Sequence, residues 1–409
     1  AQRFEESAEN RSIDWPAQSK ESAGKRYWKH ENWSSRDEEQ ETHTRTRSVA
    51  DMSLWVDRNR PNTIAKLTLH AEVNVKLFAL SQSEDLPHLL FYGPPGAGKK
   101  TRVMALLREM YGPGAERIKL EHRTFKTASG KPIEISTLGS NYHIECNPSD
   151  VGNNDRFVIQ EVIKEIASHS NLNAVASTGG KSFKVVLLTE VDRLSKQAQA
   201  GLRRTMEKYS AQCRIILLCN SPSKIIEPVR SRCLSVRIPA PSHEDIAQLL
   251  MGVAKKEGAQ CPQELAMKIS LQSDRNVRRA VLMLEAAKVQ IAPATQMLAQ
   301  QIVQLPDWEL YITRLSREIM AEQSPSKLLK AREMLYELLT QCIPSDVIMR
   351  TLVGELMKCL DDTLKHEVAH WAAYYEHRMS TGSKDIFHLE AFVAKFMAVY
   401  KKWVITLFG

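Results

Sequence analysis

The glycine- and lysine-rich run at residues 93–101 has the composition and spacing of a phosphate-binding loop. An apolar run at residues 89–92 precedes it, and a helix-like run at residues 102–110 follows. Glycines let backbone N–H groups close around phosphate oxygens, and the start of a helix favours negative charge. The sequence therefore predicts a nucleotide site in a strand–loop–helix unit, formed by Gly93, Pro94, Pro95, Gly96, Ala97, Gly98, Lys99, Lys100 and Thr101.

One position of this loop departs from the usual pattern. Gly-x4-Gly-Lys is complete, and Lys99 is placed to reach the terminal phosphates. The next residue is normally Ser or Thr, whose hydroxyl helps to hold Mg²⁺. Here it is Lys100, and Thr101 comes one residue too late. We therefore expect the site to bind ATP or ADP with Mg²⁺ held weakly or absent.

A second apolar run supports the same interpretation. Residues 184–188 have the pattern of a buried parallel strand. A working nucleotide hydrolase would follow such a strand with an Asp that helps to hold the metal and a Glu that orients water. This chain has Thr189 and Glu190 at those places. With both metal-holding positions altered, Glu190 is the candidate catalytic residue of a degenerate site, and hydrolysis is expected to be poor.

Composition limits the class of protein. The 409 residues suffice for two to four domains, and charged residues make up 25% of the chain. A net charge of +8 permits an anionic partner. The seven cysteines are scattered without a Cys-x2-Cys pair, so no metal site is indicated. No apolar run reaches the roughly 18 residues of a membrane span.

The segments differ in pattern along the chain. Residues 1–51 are rich in Ser, Glu, Arg and Gln with no apolar period, which predicts disorder, although Trp15, Trp28 and Trp33 leave a docking segment open. From residue 52 strand and helix patterns alternate up to residue 238, which predicts an α/β domain with a parallel sheet and helices on both faces. Residues 239–304 and 305–409 are almost entirely helical in pattern.

The predicted elements can be placed approximately. The strands of the α/β domain are expected at residues 89–92, 142–146, 185–188, 215–219 and 234–238. Its helices are expected at residues 102–110, 157–169 and 196–208. Residues 120–126 and 133–136 flank a Ser-Gly turn and predict an inserted hairpin. Beyond Pro239-Ala240-Pro241, helices are expected at residues 242–257, 263–272 and 277–289.

Several short motifs occur in one order. They are the Trp55-Val56 and Arg60-Pro61 pairs, the loop at residues 93–101, Thr189-Glu190-Val191-Asp192, Leu202-Arg203-Arg204-Thr205-Met206-Glu207, Ser231-Arg232-Cys233 and Asn276-Val277-Arg278-Arg279-Ala280. Together they resemble the small subunits of replication factor C, the clamp loader of the AAA+ ATPases, and most of all its third subunit. The resemblance implies an AAA+ nucleotide-binding domain over residues 52–238, an all-α lid over 239–304 and an all-α C-terminal collar over 305–409.

The resemblance also implies a function. Such a chain joins four other subunits in a nuclear, ATP-dependent clamp loader, which opens a ring-shaped sliding clamp and places it on primer–template DNA in replication and repair. ATPase activity would belong to that complex, so whether this chain is itself an enzyme is left open.

Residue roles follow from the same resemblance. Val56, Arg60 and Pro61 match the segment beside the adenine. Asn220 matches the residue that positions hydrolytic water, although a strand-end Asn is also common in turns. Arg278 matches the lid arginine near the terminal phosphate.

Arg232 matches the arginine finger, which acts in trans on nucleotide held by a neighbouring subunit. An arginine suits that role because its planar cation keeps its proton. Lys164, Arg203 and Arg204 are candidate DNA contacts, to phosphates and therefore without sequence specificity. For Arg203 and Arg204, contact with the clamp or an adjacent subunit, or plain solvation, remains open.

Two other functions stay in view. One is a stand-alone AAA+ motor such as a helicase or remodeller, against which Lys100 and Thr189 argue. The other is a non-catalytic scaffold with a vestigial nucleotide site, against which the intact glycines and Lys99 argue.

Overall fold

The structure is a computed structural model that describes residues 53–83, 85–126, 132–168, 183–210, 212–291 and 296–408. The predicted disorder of residues 1–51 and the predicted turn at residues 128–131 lie outside the described residues. Among the described residues, no helix combines the length and apolar character needed to cross a membrane.

A seven-stranded sheet forms the centre of the α/β region, in the order β2-β3-β4-β5-β6-β1-β7. Strands β4, β5, β6, β1 and β7 run parallel, whereas β3 pairs antiparallel with both β2 and β4. The predicted hairpin is therefore confirmed, as the β2–β3 edge of the sheet. The strands are β1 Leu89–Tyr92, β2 Lys119–Lys126, β3 Pro132–Gly139, β4 His143–Cys146, β5 Lys184–Leu188, β6 Cys213–Cys219 and β7 Leu234–Arg237.

Two apolar cores cover the two faces of this sheet, because successive side chains of a strand point to opposite faces. Leu90 belongs to one core, while Leu89 and Phe91 belong to the other. This is why the central strands are continuous apolar runs. The helices of this region are α1 Trp55–Arg58, α2 Ala71–Gln82, α3 Lys99–Tyr111, α4 Asp155–Ser168, α5 Lys196–Lys208 and α6 Glu227–Arg230.

The chain beyond β7 is helical and contains two further apolar cores. The first joins three helices, with Trp55 and Val56 packed against it. The second joins the last five helices. The domain boundaries predicted after residues 51, 238 and 304 stay predictions. The helices are α7 His243–Lys256, α8 Gln263–Gln272, α9 Val277–Ile291, α10 Asp307–Ala321, α11 Pro325–Thr340, α12 Ser345–Met357, α13 Asp362–Thr381 and α14 Asp385–Phe408.

Candidate nucleotide-binding site

The phosphate-binding loop joins the central strand β1 to helix α3, as the sequence predicts. Its backbone requires glycine: Gly96 has φ +74, and Gly98, which precedes the first residue of α3, has φ +84. Side chains rarely adopt this left-handed conformation. This glycine-dependent turn leads directly into the start of α3, where an anion is favoured.

The helical region of α7–α9 lies against this loop. A Cβ atom on Gly96 would lie 1.8 Å from Oδ1 of Asn276, which precedes helix α9. That oxygen accepts a hydrogen bond from the backbone N–H of Arg279 at 3.1 Å, so Asn276 cannot move aside without uncapping the helix.

We expect Gly96→Ala to destabilise the chain by about 1–3 kcal/mol, the cost of a strained left-handed residue. It should also weaken nucleotide binding, because the loop must shift. Denaturant unfolding and equilibrium nucleotide binding measure both effects. Gly252→Ala is the matched control: Gly252 lies within α7 with nothing near its added Cβ. Alanine there should stabilise the helix by about 0.5–1 kcal/mol. Equal stability of Gly96→Ala and wild type would contradict the strain argument.

The loop lysine is held by two backbone oxygens and by Asn220, the residue predicted to position hydrolytic water. Lys99 Nζ donates hydrogen bonds to the carbonyls of Gly93 and Pro94 at 2.6 and 2.9 Å. It also donates to Asn220 Oδ1 at 2.9 Å. Burial lowers the pKa of Lys99, and the nearby Asp192 carboxylate opposes that shift. Since β1 and β6 are parallel neighbours, their carboxyl ends bring Lys99 and Asn220 together.

A buried arginine forms a hydrogen bond with the backbone of the same loop. The Arg102 side chain is 2% exposed. Its Nη1 donates to the carbonyl of Ala97 at 3.0 Å, and its Nη2 to that of Leu69 at 2.8 Å. Burial lowers the pKa of Arg102 to about 10. Sequence reasoning missed this residue, because nothing in its position at the start of a helix shows that it is buried.

Lys100 forms an ion pair at the position where a hydroxyl would help to hold Mg²⁺. Its Nζ lies 2.5 Å from Oε1 of Glu145 on strand β4, whose side chain is 9% exposed. Oε2 of Glu145 is buried without a hydrogen-bond partner among the described residues. Sequence reasoning missed Glu145, because nothing in the short strand His143–Cys146 shows that its carboxylate is buried against Lys100.

At the end of strand β5, Thr189 occupies the position where a metal-holding Asp is usual. The Thr189 hydroxyl donates to the carbonyl of Cys146 at 3.4 Å. Glu190 has φ 52, and its carboxylate lies 3.3 Å from Arg193. With an ammonium at one anchor position and a hydroxyl bonded to backbone at the other, these residues do not fit a Mg²⁺ ion held in the usual way.

The predicted adenine-side and lid residues lie on neighbouring elements. Burial, followed by the charge of Arg278, lowers the pKa of Arg60, whereas Asp57 and Glu145 oppose the shift. The charges of Arg278 and Glu145 therefore both act on the Arg60 guanidinium. Val56 packs against the core of helices α7–α9, and Pro61 is half-buried.

Arg232 lies just beyond α6, and its hydrogen bonds go to α5, α6 and the turn after α6. Its Nε donates to Glu207 Oε1 at 2.7 Å, and its Nη1 donates to the carbonyl of Pro228 at 2.7 Å. The structure thus brings Lys99 and Asn220 together but gives Arg232 no contact with the loop of its own chain.

Known families match three parts of the chain. Residues 89–240 match the ATPase family associated with various cellular activities, and residues 248–289 match the lid domain of RCF1/5-like AAA+ ATPases. Residues 308–404 match the C-terminal domain of replication factor C subunit 3. Replication factor C subunit 3 of Bos taurus is 55% identical over 353 residues, which cover 86% of this chain and 98% of that protein. The chain belongs to the replication factor C subunit 3/5 family.

A second relative agrees with this assignment. Replication factor C subunit 5 of Oryza sativa subsp. japonica is 52% identical over 359 residues, covering 87% of this chain and all of that protein. Among solved structures, Thermotoga maritima RuvB is 14% identical with a TM-score of 0.46, covering 73% of this chain and 90% of that chain. Membership of the replication factor C family confirms the predicted resemblance, and the family matches confirm the predicted fold class.

The candidate DNA contacts of this replication factor C chain lie on two helices that pack together, α4 and α5. Lys164 is exposed and lies 3.6 Å from Glu161, and Arg203 lies 3.5 Å from Glu207. Arg204 is exposed on the same helix as Arg203. All three residues are accessible, and their contacts with DNA stay predictions.

Proposed function

We propose that this clamp-loader subunit binds ATP or ADP in its own loop, hydrolyses it poorly, and supplies Arg232 to the site of a neighbouring subunit. The observation that carries the first part is the loop itself. Left-handed glycines precede the first turn of α3, and Lys99 and Asn220 meet beside the loop. A glycine-rich turn at the start of a helix, with an ammonium beside it, suits a polyphosphate.

Poor hydrolysis follows from the two altered anchor positions. Mg²⁺ would be weakly held or absent, because Lys100 is paired with Glu145 and the Thr189 hydroxyl is bonded to backbone. Glu190 would then lack a metal-held nucleotide on which to act.

The wider role comes from the family. The partners would be the four other subunits of a clamp loader, a sliding clamp and primer–template DNA in the nucleus. Helices α10–α14 would form the oligomerisation collar of a chain divided at residues 51, 238 and 304. Lys164, Arg203 and Arg204 would contact DNA phosphates, so binding should weaken with salt and ignore sequence.

The loop proposal is tested by nucleotide binding to Lys99→Ala. We expect the affinity for ATP and ADP to fall about 10- to 100-fold, because one charge-assisted hydrogen bond to phosphate is lost. Equilibrium titration of the full chain, with and without Mg²⁺, measures this. Lys365→Ala is the matched control, since Lys365 pairs with Asp362 on α13. An unchanged affinity in Lys99→Ala would contradict the role of Lys99, and no measurable binding by the wild-type chain would favour the non-catalytic scaffold with a vestigial site.

A further inference from the structure

The guanidinium of Arg232 is occupied by acceptors of its own chain. Nε and Nη2 both lie close to Glu207 Oε1, at 2.7 and 2.6 Å. Nη1 donates to the carbonyl of Pro228 at 2.7 Å. The edge that carries Nε and Nη2 is one with which arginine grips a carboxylate or phosphate. Arg232 cannot present this edge to another anion while Glu207 holds it.

The pair between Arg232 and Glu207 is open to water. The side chains are 32% and 49% exposed, respectively. An ion pair this accessible contributes little free energy, so separating its partners costs little. The hydrogen bond from Arg232 lowers the pKa of Glu207, so the carboxylate stays charged at neutral pH.

A second arginine can take the place of the first. Arg203 precedes Glu207 by one turn of α5, and its Nε lies 3.5 Å from the same Oε1 atom. If Arg232 moved away, Glu207 would still have a cationic neighbour. Departure of Arg232 therefore leaves no isolated carboxylate, which lowers the cost of the exchange.

We propose that Glu207 is a positioning residue that holds Arg232 in an ion pair on its own chain. This held state, which we call parking, ends when the nucleotide of a neighbouring subunit comes within reach of Arg232. This rests on the proposed role of Arg232 in trans. A polyphosphate offers several charged acceptors and competes well against one exposed carboxylate. Release then requires close docking of the two subunits, so the parked arginine limits turnover in a loader that is not fully closed.

The test is Glu207→Gln in the reconstituted five-subunit loader. Turnover without clamp and DNA should rise about two- to fivefold, the range expected for loss of an exposed ion pair. Turnover stimulated by clamp and primed DNA should stay the same, so the stimulation ratio should fall. Glu227→Gln is the matched control, because it removes an exposed carboxylate that pairs with Arg230 on α6. It should leave both rates unchanged.

Unstimulated turnover that is unchanged or lower in Glu207→Gln would overturn the proposal; a fall would mean that Glu207 holds the arginine in its productive orientation. Comparison with Arg232→Ala separates the two ideas. If Arg232→Ala lowers turnover while Glu207→Gln does not raise it, parking is wrong and the trans role stands. If Arg232→Ala has no effect, the trans role itself fails. A rise in Glu207→Gln that persists in the double variant with Arg232→Ala would also exclude parking.

Discussion

Replacing Arg232 by alanine should lower ATP turnover at one neighbouring site of the clamp loader by about 10³-fold or more, the range of arginine fingers in related phosphoryl transfer. The expected cause is loss of a cation that stabilises transition-state charge from across a subunit boundary. Nucleotide affinity of this chain should stay nearly unchanged, because Arg232 contacts Glu207 and Pro228 rather than its own phosphate loop. Steady-state hydrolysis and clamp loading on primed DNA measure the effect.

Two variants sharpen this experiment. Arg232→Lys should rescue poorly, because an ammonium cannot reproduce the two-pronged geometry of a guanidinium. Arg230→Ala is the matched control: Arg230 lies at the end of α6 and pairs with Glu227 on the same helix. The loader should assemble with every variant, since one exposed cation contributes little beside buried apolar anchors. Normal turnover in Arg232→Ala, or a loader that falls apart, would remove the support for a site shared between subunits.

Local signals in the sequence predict much of the fold. The apolar run that becomes β1 and the helix at Lys196–Lys208 match the predicted bounds. Helix boundaries are less accurate where tertiary contacts decide them. The helix expected to begin at residue 157 begins at Asp155, whose buried carboxylate accepts hydrogen bonds from the backbone and hydroxyl of Ser195 at 2.7 and 3.0 Å. The periodic pattern of apolar residues cannot reveal this contact, because the two residues are far apart in the sequence.

The candidate site is predictable only in part, for the same reason. Loop glycines and Lys99 carry a spacing that sequence reveals. Glu145 and Glu207 carry no such spacing. Each acts through a partner that only the folded chain brings close: Glu145 pairs with Lys100, and Glu207 pairs with Arg232. From the sequence alone, Lys100 is recognised only as a replacement for the usual hydroxyl residue, and Arg232 only as a cation with no known partner. The structure makes each of them one half of an ion pair, and this changes what each can do.

The chain's own site should bind ATP without turning it over. Lys100 and Thr189 remove both usual metal anchors, and their side chains are already engaged with Glu145 and the Cys146 carbonyl. We expect hydrolysis by the isolated chain to be negligible in Mg²⁺, even over many hours. An isolated chain also lacks a finger from a neighbour, so the decisive measurement is made in the reconstituted loader.

In that loader, Glu190→Gln should leave total turnover unchanged, because this carboxylate has no metal-bound nucleotide to act on. The double variant Lys100→Thr with Thr189→Asp restores a hydroxyl and a carboxylate at the two anchor positions, and should make nucleotide affinity depend on Mg²⁺. Lys100→Thr alone serves as its control, since it leaves Glu145 buried without its cation and should cost stability. Strong Mg²⁺-dependent hydrolysis by the wild-type chain that disappears in Glu190→Gln would show that the site is a working ATPase. Lys100 would then have to leave Glu145 during each cycle, and the ion pair seen here would be only a resting state.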